Sequence, residues 1–177
     1  MPRRDQERNR RRLLDAAREA FMERGAGVSV EEIARRAGVG ATTFYRHFPT
    51  KDDLVDALLH ELGEGAREVA ARAAAEPDPW RAFELVFMEA CVLSERDLAL
   101  FDLLARVSAP SADKGRAVTA EVIGPLVERA QAAGSLRQDV SVEDVAAFMR
   151  MADGTAPAER RRKALQVLLV GLAAHAG

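Results

Sequence analysis

A chain of 177 residues, 48% hydrophobic and 31% charged, is long enough for one or two domains with a real core, which excludes intrinsic disorder. Its single cysteine, Cys91, excludes an intrachain disulfide and points to a reducing cytoplasm. The net charge of −2 hides an asymmetry: residues 1–51 hold twelve Lys or Arg against seven Asp or Glu, and the rest fourteen against twenty-one, so a basic leading segment precedes an acidic body.

The N-terminal run PRRDQERNRRR has no apolar stretch behind its charges, so it does not read as a secretory signal. The longest apolar stretch, near Ala164 to Ala174, is too short to span a bilayer. Leu13, Ala16, Ala17, Ala20 and Phe21 fall at helical spacing and predict an amphipathic helix from about residue 7 to 24, ended by Gly25. Arg10, Arg11 and Arg12 read either as an arm entering a minor groove or as a solvated helix start.

Ser29 and Glu32 form a capping-box pattern, with Val28 and Ile33 placed as a hydrophobic staple. Ile33, Ala34 and Ala37 continue that helix, and Gly38 stands where a left-handed residue would end it. A second helix of about two turns runs from Ala41 to Phe48 and is stopped by Pro49. Phe44 and Phe48, four apart, share its buried face; Thr42, Thr43, Arg46 and His47 make the other. That outer face carries hydroxyls, a guanidinium able to grip guanine at two atoms, an imidazole, and methyls that suit thymine, the chemistry of a helix in a major groove. Thr50 and Asp53 give a further cap signature, and Lys51 opens the helix that follows, where an ammonium suits a phosphate.

These residues, in this order over about the first 60 positions, closely resemble the TetR family of bacterial transcriptional repressors. The resemblance is carried by Ser29, by Ile33, Ala34, Ala37, Gly38 and Val39, and by Thr43 through Pro49 with Lys51 and Leu54. Phe44 stands where many relatives have leucine, and Gly40 where a small hydroxyl residue is common. The resemblance implies an all-α fold of about nine helices, with a three-helix helix-turn-helix DNA-binding domain over 1–51 and an effector-binding and dimerisation domain over 52–177. It implies base contacts from Thr42, Thr43 and Arg46 and phosphate contacts from Ser29, Tyr45, His47 and Lys51, with Gly40 and Ala41 on the same DNA-facing turn.

Beyond residue 51 no alternating pattern is long enough for a strand. A long helix is predicted from Lys51 to about Ala75 with Leu54, Val55, Leu58, Leu59 and Leu62 on one face; Gly63 and Gly65 mark either a bend or tolerated surface glycines. Asp78 and Pro79 open a new helix. Its stripe of Trp80, Phe83, Phe87 and Cys91 is either core or, as the resemblance implies, the lining of an apolar effector cavity. With Leu62, Phe101, Leu104, Val118, Val122 and Met149 these form the predicted ligand-binding set.

A seventh helix from about Ser111 to Ala133 contains Gly124 and Pro125, a predicted kink, and Gly134 closes it. Ser141 and Asp144, stapled by Val140 and Val145, open an eighth. The last helix starts near Pro157, and its Leu165, Leu168, Leu169 and Leu172 form a stripe that needs a partner. The resemblance implies that this stripe and Phe148 pair with a second copy about a twofold axis, giving a homodimer; burial within one chain is the alternative. Two copies about 34 Å apart suit a palindromic duplex operator.

The expected activity is therefore a ligand-responsive repressor, released from its operator by an unidentified, largely apolar small molecule. The runner-up is a DNA-binding regulator with no small-molecule ligand, controlled by a protein partner. His47, His60 and His175 are scattered, zinc-ligand spacing is absent and no glycine loop cradles a phosphate, so neither an enzyme, a metal site nor a cofactor is expected.

Overall fold

The computed structural model describes residues 3–89, 95–153 and 158–174, and among these it contains nine α-helices and no strand. They are α1 (Arg3–Arg24), α2 (Val30–Arg36), α3 (Ala41–His47), α4 (Lys51–Ala74), α5 (Pro79–Glu89), α6 (Glu95–Leu104), α7 (Ala109–Ala132), α8 (Val142–Asp153) and α9 (Ala158–Leu172). Two compact units divide the chain: residues 1–61 with 99–115, and residues 62–98 with 116–177.

In the first unit α1 packs on α2 and α2 on α3. Leu13, Ala16, Ala17, Ala20 and Phe21 are all buried, as their spacing requires. α1 begins at Arg3, about a turn earlier than the expected start near residue 7, so Arg10, Arg11 and Arg12 lie inside a helix and not on an extended arm. Arg11 pairs with Asp15 at 3.2 Å along α1 and reaches toward Glu61, an arrangement closer to the solvated-helix reading.

The cap signals set the helix starts. The Ser29 hydroxyl accepts from the Glu32 backbone N–H at 3.2 Å, yet the Glu32 carboxylate does not close the box: it turns to Arg35 and Arg36. Thr50 with Asp53 and Ser141 with Asp144 do close theirs, each acid accepting from the cap residue's backbone N–H at 2.9 Å. Asp78 caps α5, accepting from the Arg81 N–H, with Pro79 at the first helical position. α7 starts at Ala109 and not at Ser111, because Ser108 is the cap, its hydroxyl accepting from the Ser111 N–H at 3.2 Å.

Gly38 and Gly134, at φ 65° and 69°, end their helices in the left-handed conformation. In each case a six-residue and a four-residue backbone bond close together: Val39 to Ala34 with Gly38 to Arg35, and Ser135 to Ala130 with Gly134 to Gln131.

In the second unit Val69, Phe83, Val86, Phe87, Ile123, Val127, Val145 and Leu165 are among the members of one core cluster, with α9 packed on α5 and α8. Gly63 is buried here, and a Cβ on it would stand 2.8 Å from the Val118 methyl of α7, so this glycine allows close helix contact and is not a surface position. Pro125 is accommodated within α7, whose span runs unbroken through it. The Arg129 guanidinium donates to the Glu76 and Pro77 carbonyls, fixing the α4–α5 turn. No described helix is long and apolar enough to cross a membrane.

Candidate nucleic-acid interface

α3 is only seven residues long, too short to hold its own conformation in water, so its placement depends on anchors. Phe44 is fully buried and Phe48 nearly so, their ring centroids 5.9 Å apart. With that face fixed, Ala41, Thr42, Tyr45 and Arg46 are exposed and Thr43 and His47 are half-buried. Gly40 precedes the helix in extended conformation and offers no side-chain cap.

Tyr45 is 48% exposed, unusual for a ring of that size, and packs edge-on against Phe44 at 5.4 Å. The Phe44 contact steadies the ring while much of the residue stays exposed. His47 is held differently. Its Nε2 is buried with no hydrogen-bond partner among the described residues, and burial, then Arg46 and Arg10, push its pKa below the ordinary imidazole value.

Lys51 departs from the simple phosphate-ligand expectation. Its ammonium donates to the Ala26 carbonyl at 2.7 Å and lies 5.4 Å from the Phe21 ring centroid, and burial lowers its pKa. It ties the start of α4 to the turn after α1, a tertiary contact that its place in the sequence does not announce. Ser29 is exposed at the head of α2, its hydroxyl engaged in the cap.

A charge network fixes α2 beside these groups. Arg35 and Arg36 donate to the two oxygens of Glu32 at 2.5 and 2.8 Å, and Arg36 reaches Glu23 of α1 at 2.6 Å. Hydrogen bonds from Arg35 and then Arg36 hold the Glu32 carboxyl at about 2, below its ordinary 4.5, and Arg36 likewise lowers Glu23. Because the folded-state value is the depressed one, this stabilisation is complete above pH 4.5 and is lost as pH falls toward 2. Melting temperature is therefore expected to fall across that window, and in Glu32→Gln more shallowly; an equally steep acid limb in the variant would place the effect elsewhere.

The residues expected to line an effector cavity divide between the units. Phe101 and Leu104 belong to the first, while Leu62, Trp80, Phe83, Phe87, Val118, Val122 and Met149 belong to the second, and Cys91 lies outside the described residues. Phe83, Phe87 and Val122 sit in the packed core cluster, with Trp80 and Met149 half-buried at its edge. The Trp80, Phe83 and Phe87 rings follow one another at 5.7 and 5.6 Å.

Most of the expected pairing stripe packs within its own chain. Leu165, Leu169 and Leu172 are buried in their own unit's core, and Leu168 is half-buried beside it. The outward apolar surface is Val167 (66% exposed), Val170 (69%) and Met151 (68%). Beside it Phe148, Val167, Leu168 and Leu172 line a surface groove of about 430 Å³ bordered by the Arg137–Asp139 ion pair. The overlooked signal is the run Val167-Leu168-Leu169-Val170, too wide for one face, with Val167, Val170, Gly171 and Ala174 repeating at helical spacing.

Residues 13–58 match the family model for bacterial regulatory proteins, TetR family, and residues 78–174 match that for the C-terminal domain of SbtR-like transcriptional regulators. An HTH-type transcriptional repressor of Mycobacterium tuberculosis is 48% identical over 52 residues, 29% of this chain and 28% of that protein, so the match spans under a third of this curated relative. The crystal structure of a TetR transcription regulatory protein from Mycobacterium vanbaalenii aligns at 32% identity over 98% of this chain and 99% of that one, with a TM-score of 0.57. A TetR-family structure from Syntrophomonas wolfei, at 21% identity over 94% and 97% of the two chains and a TM-score of 0.72, shares the fold.

Proposed function

The chain belongs to the TetR family of bacterial transcriptional regulators, and from that premise we propose that it represses transcription as a homodimer on a palindromic operator and is released by a small, largely apolar effector. It is a DNA-binding regulator and not an enzyme. The observation that carries the reading is α3: its inner face is locked by Phe44 and Phe48, and its outer face presents Thr42, Tyr45 and Arg46 together.

In this reading the segment through residue 51 binds DNA and the chain from residue 52 receives the effector and pairs. Thr42, Thr43 and Arg46 touch base edges. Tyr45, with Ser29, His47 and the N–H groups that Lys51 does not give to Ala26, holds phosphates. Pairing uses Val167, Val170, Met151, Leu168 and Phe148, which are among the apolar groups of α8 and α9 that are exposed or half-buried in one chain. Effector and DNA weaken one another by linkage if the effector favours a state with the reading helices wrongly spaced.

A second reading, control by a protein partner, draws support from Phe83, Phe87 and Val122 packing into a filled cluster. Titrating the DNA that flanks the gene with purified protein, at several salt concentrations and with apolar compounds added, separates the two. Release of palindrome-dependent binding by a compound supports the effector; binding that no compound disturbs supports the partner; no sequence-dependent binding overturns both.

Two substitutions test the residue roles. Tyr45→Phe is expected to weaken all duplexes alike, whereas Arg46→Ala is expected to lose about tenfold or more of discrimination at particular base pairs, the scale of one bidentate contact. The opposite pattern against a panel of mutated operators would remove both assignments.

A further inference from the structure

Six arginines fall within the first twelve residues, a density that suggests phosphate ligands. Two of them, Arg10 and Arg12, bear on the helix-turn-helix itself. A Cβ built on Gly38 would stand 2.5 Å from the Arg12 guanidinium, so that group lies directly over the left-handed glycine between α2 and α3. The Arg10 guanidinium stands 4.7 Å from the ring centroid of Phe48, the residue that ends α3. One α1 arginine thus bears on the turn before the reading helix and another on its far end.

The mechanics of α3 give these contacts a purpose. Its fully buried side chains, Phe44 and Phe48, lie four apart along one line, with Thr43 and His47 only half-buried beside them, so they resist rotation about that line less than displacement across it. A planar, weakly hydrated guanidinium packs well on exposed backbone or an aromatic face, and here two such groups bear on the ends of the helix. Rocking shifts the outward tips of Thr42 and Arg46. Base-edge hydrogen bonds tolerate only a few tenths of an ångström, whereas charge attraction to the phosphate backbone tolerates much more.

We propose that Arg10 and Arg12 are positioning residues that set the angle of α3, and so the discrimination between sequences, rather than ligands of phosphate. The proposal rests on the reading of α3 as the DNA-reading helix. Its test uses the full chain and the duplex that the unsubstituted protein selects from a random-sequence library, with Arg12→Gln, Arg10→Gln and Arg10→Lys. Affinity for the selected and for an unrelated duplex is measured over a range of salt, and hydrogen exchange of the α3 amides is measured without DNA.

The expected result for each glutamine variant is about a tenfold loss on the selected duplex, with unrelated-duplex affinity within about twofold and an unchanged salt slope. Exchange in α3 quickens, and Arg10→Lys, which keeps a cation over the ring, restores binding. Parallel losses on both duplexes, a salt slope shallower by about 0.9 for each phosphate no longer neutralised, and unaltered α3 exchange would overturn the proposal and make these residues phosphate ligands. If the unsubstituted protein selects no duplex, the DNA-reading role fails instead, and the exchange comparison alone decides whether the arginines brace α3.

Discussion

Replacing Phe44 with alanine is expected to remove about 3–5 kcal/mol from the stability of the first unit, the usual cost of emptying a fully buried phenylalanine site. Phe44 also supports the Tyr45 and Phe48 rings, so its loss frees the helix that carries the exposed Thr42 and Arg46. Chemical denaturation followed by circular dichroism should show a first transition moved to lower denaturant while the second unit melts as before. DNA binding should vanish with the first transition. Phe44→Leu, the residue many relatives of the TetR family carry, should cost under about 1.5 kcal/mol. An unshifted profile in Phe44→Ala would mean that the ring does not anchor α3.

Placing glutamate at both Val167 and Val170 is expected to separate the proposed dimer without unfolding the chain. Each valine is about two-thirds exposed in the single chain, so its charge meets water there, whereas in an apolar interface two copies would bury four carboxylates. Sedimentation should show monomers with an unchanged thermal melt. Operator affinity should fall about 100-fold or more as the two half-sites are no longer bound together. Leu169→Ala, one residue away, is expected to do something different: it lies in the core cluster and should lower stability by about 2–5 kcal/mol. A double glutamate variant that remains dimeric would move the pairing surface off this face.

The contrast between those neighbours shows what sequence conveys. Ser29, Gly38, Thr50, Asp53, Gly134, Ser141 and Asp144 were legible because their bonds close within a few residues, and the apolar repeat of α1 was legible because one helix has one buried face. α9 has apolar groups on two faces, and a pattern of hydrophobic residues does not say which face meets its own chain. The contacts of charged residues were not legible for a related reason. Lys51 reaches back twenty-five residues to Ala26, and Arg10 and Arg12 reach Phe48 and Gly38, contacts between elements that composition and spacing do not encode. On α3 the exposure of Thr42 and Arg46 was legible as the side opposite Phe44 and Phe48, whereas the half-burial of Thr43 and His47 depends on elements packed against the helix.

The first unit also contains a later piece of chain. Residues 99–115 complete it, with the Ser108 hydroxyl donating to Asp52 and Lys114 paired with Asp56. Asp52 thus leaves the ribosome fifty-six residues ahead of its partner, and residues 62–98 of the chain between them belong to the other unit. A nascent helix-turn-helix therefore spends part of its synthesis without the strap that closes over α4. A fragment cut at residue 61 would hold the reading helix and lack that strap for good.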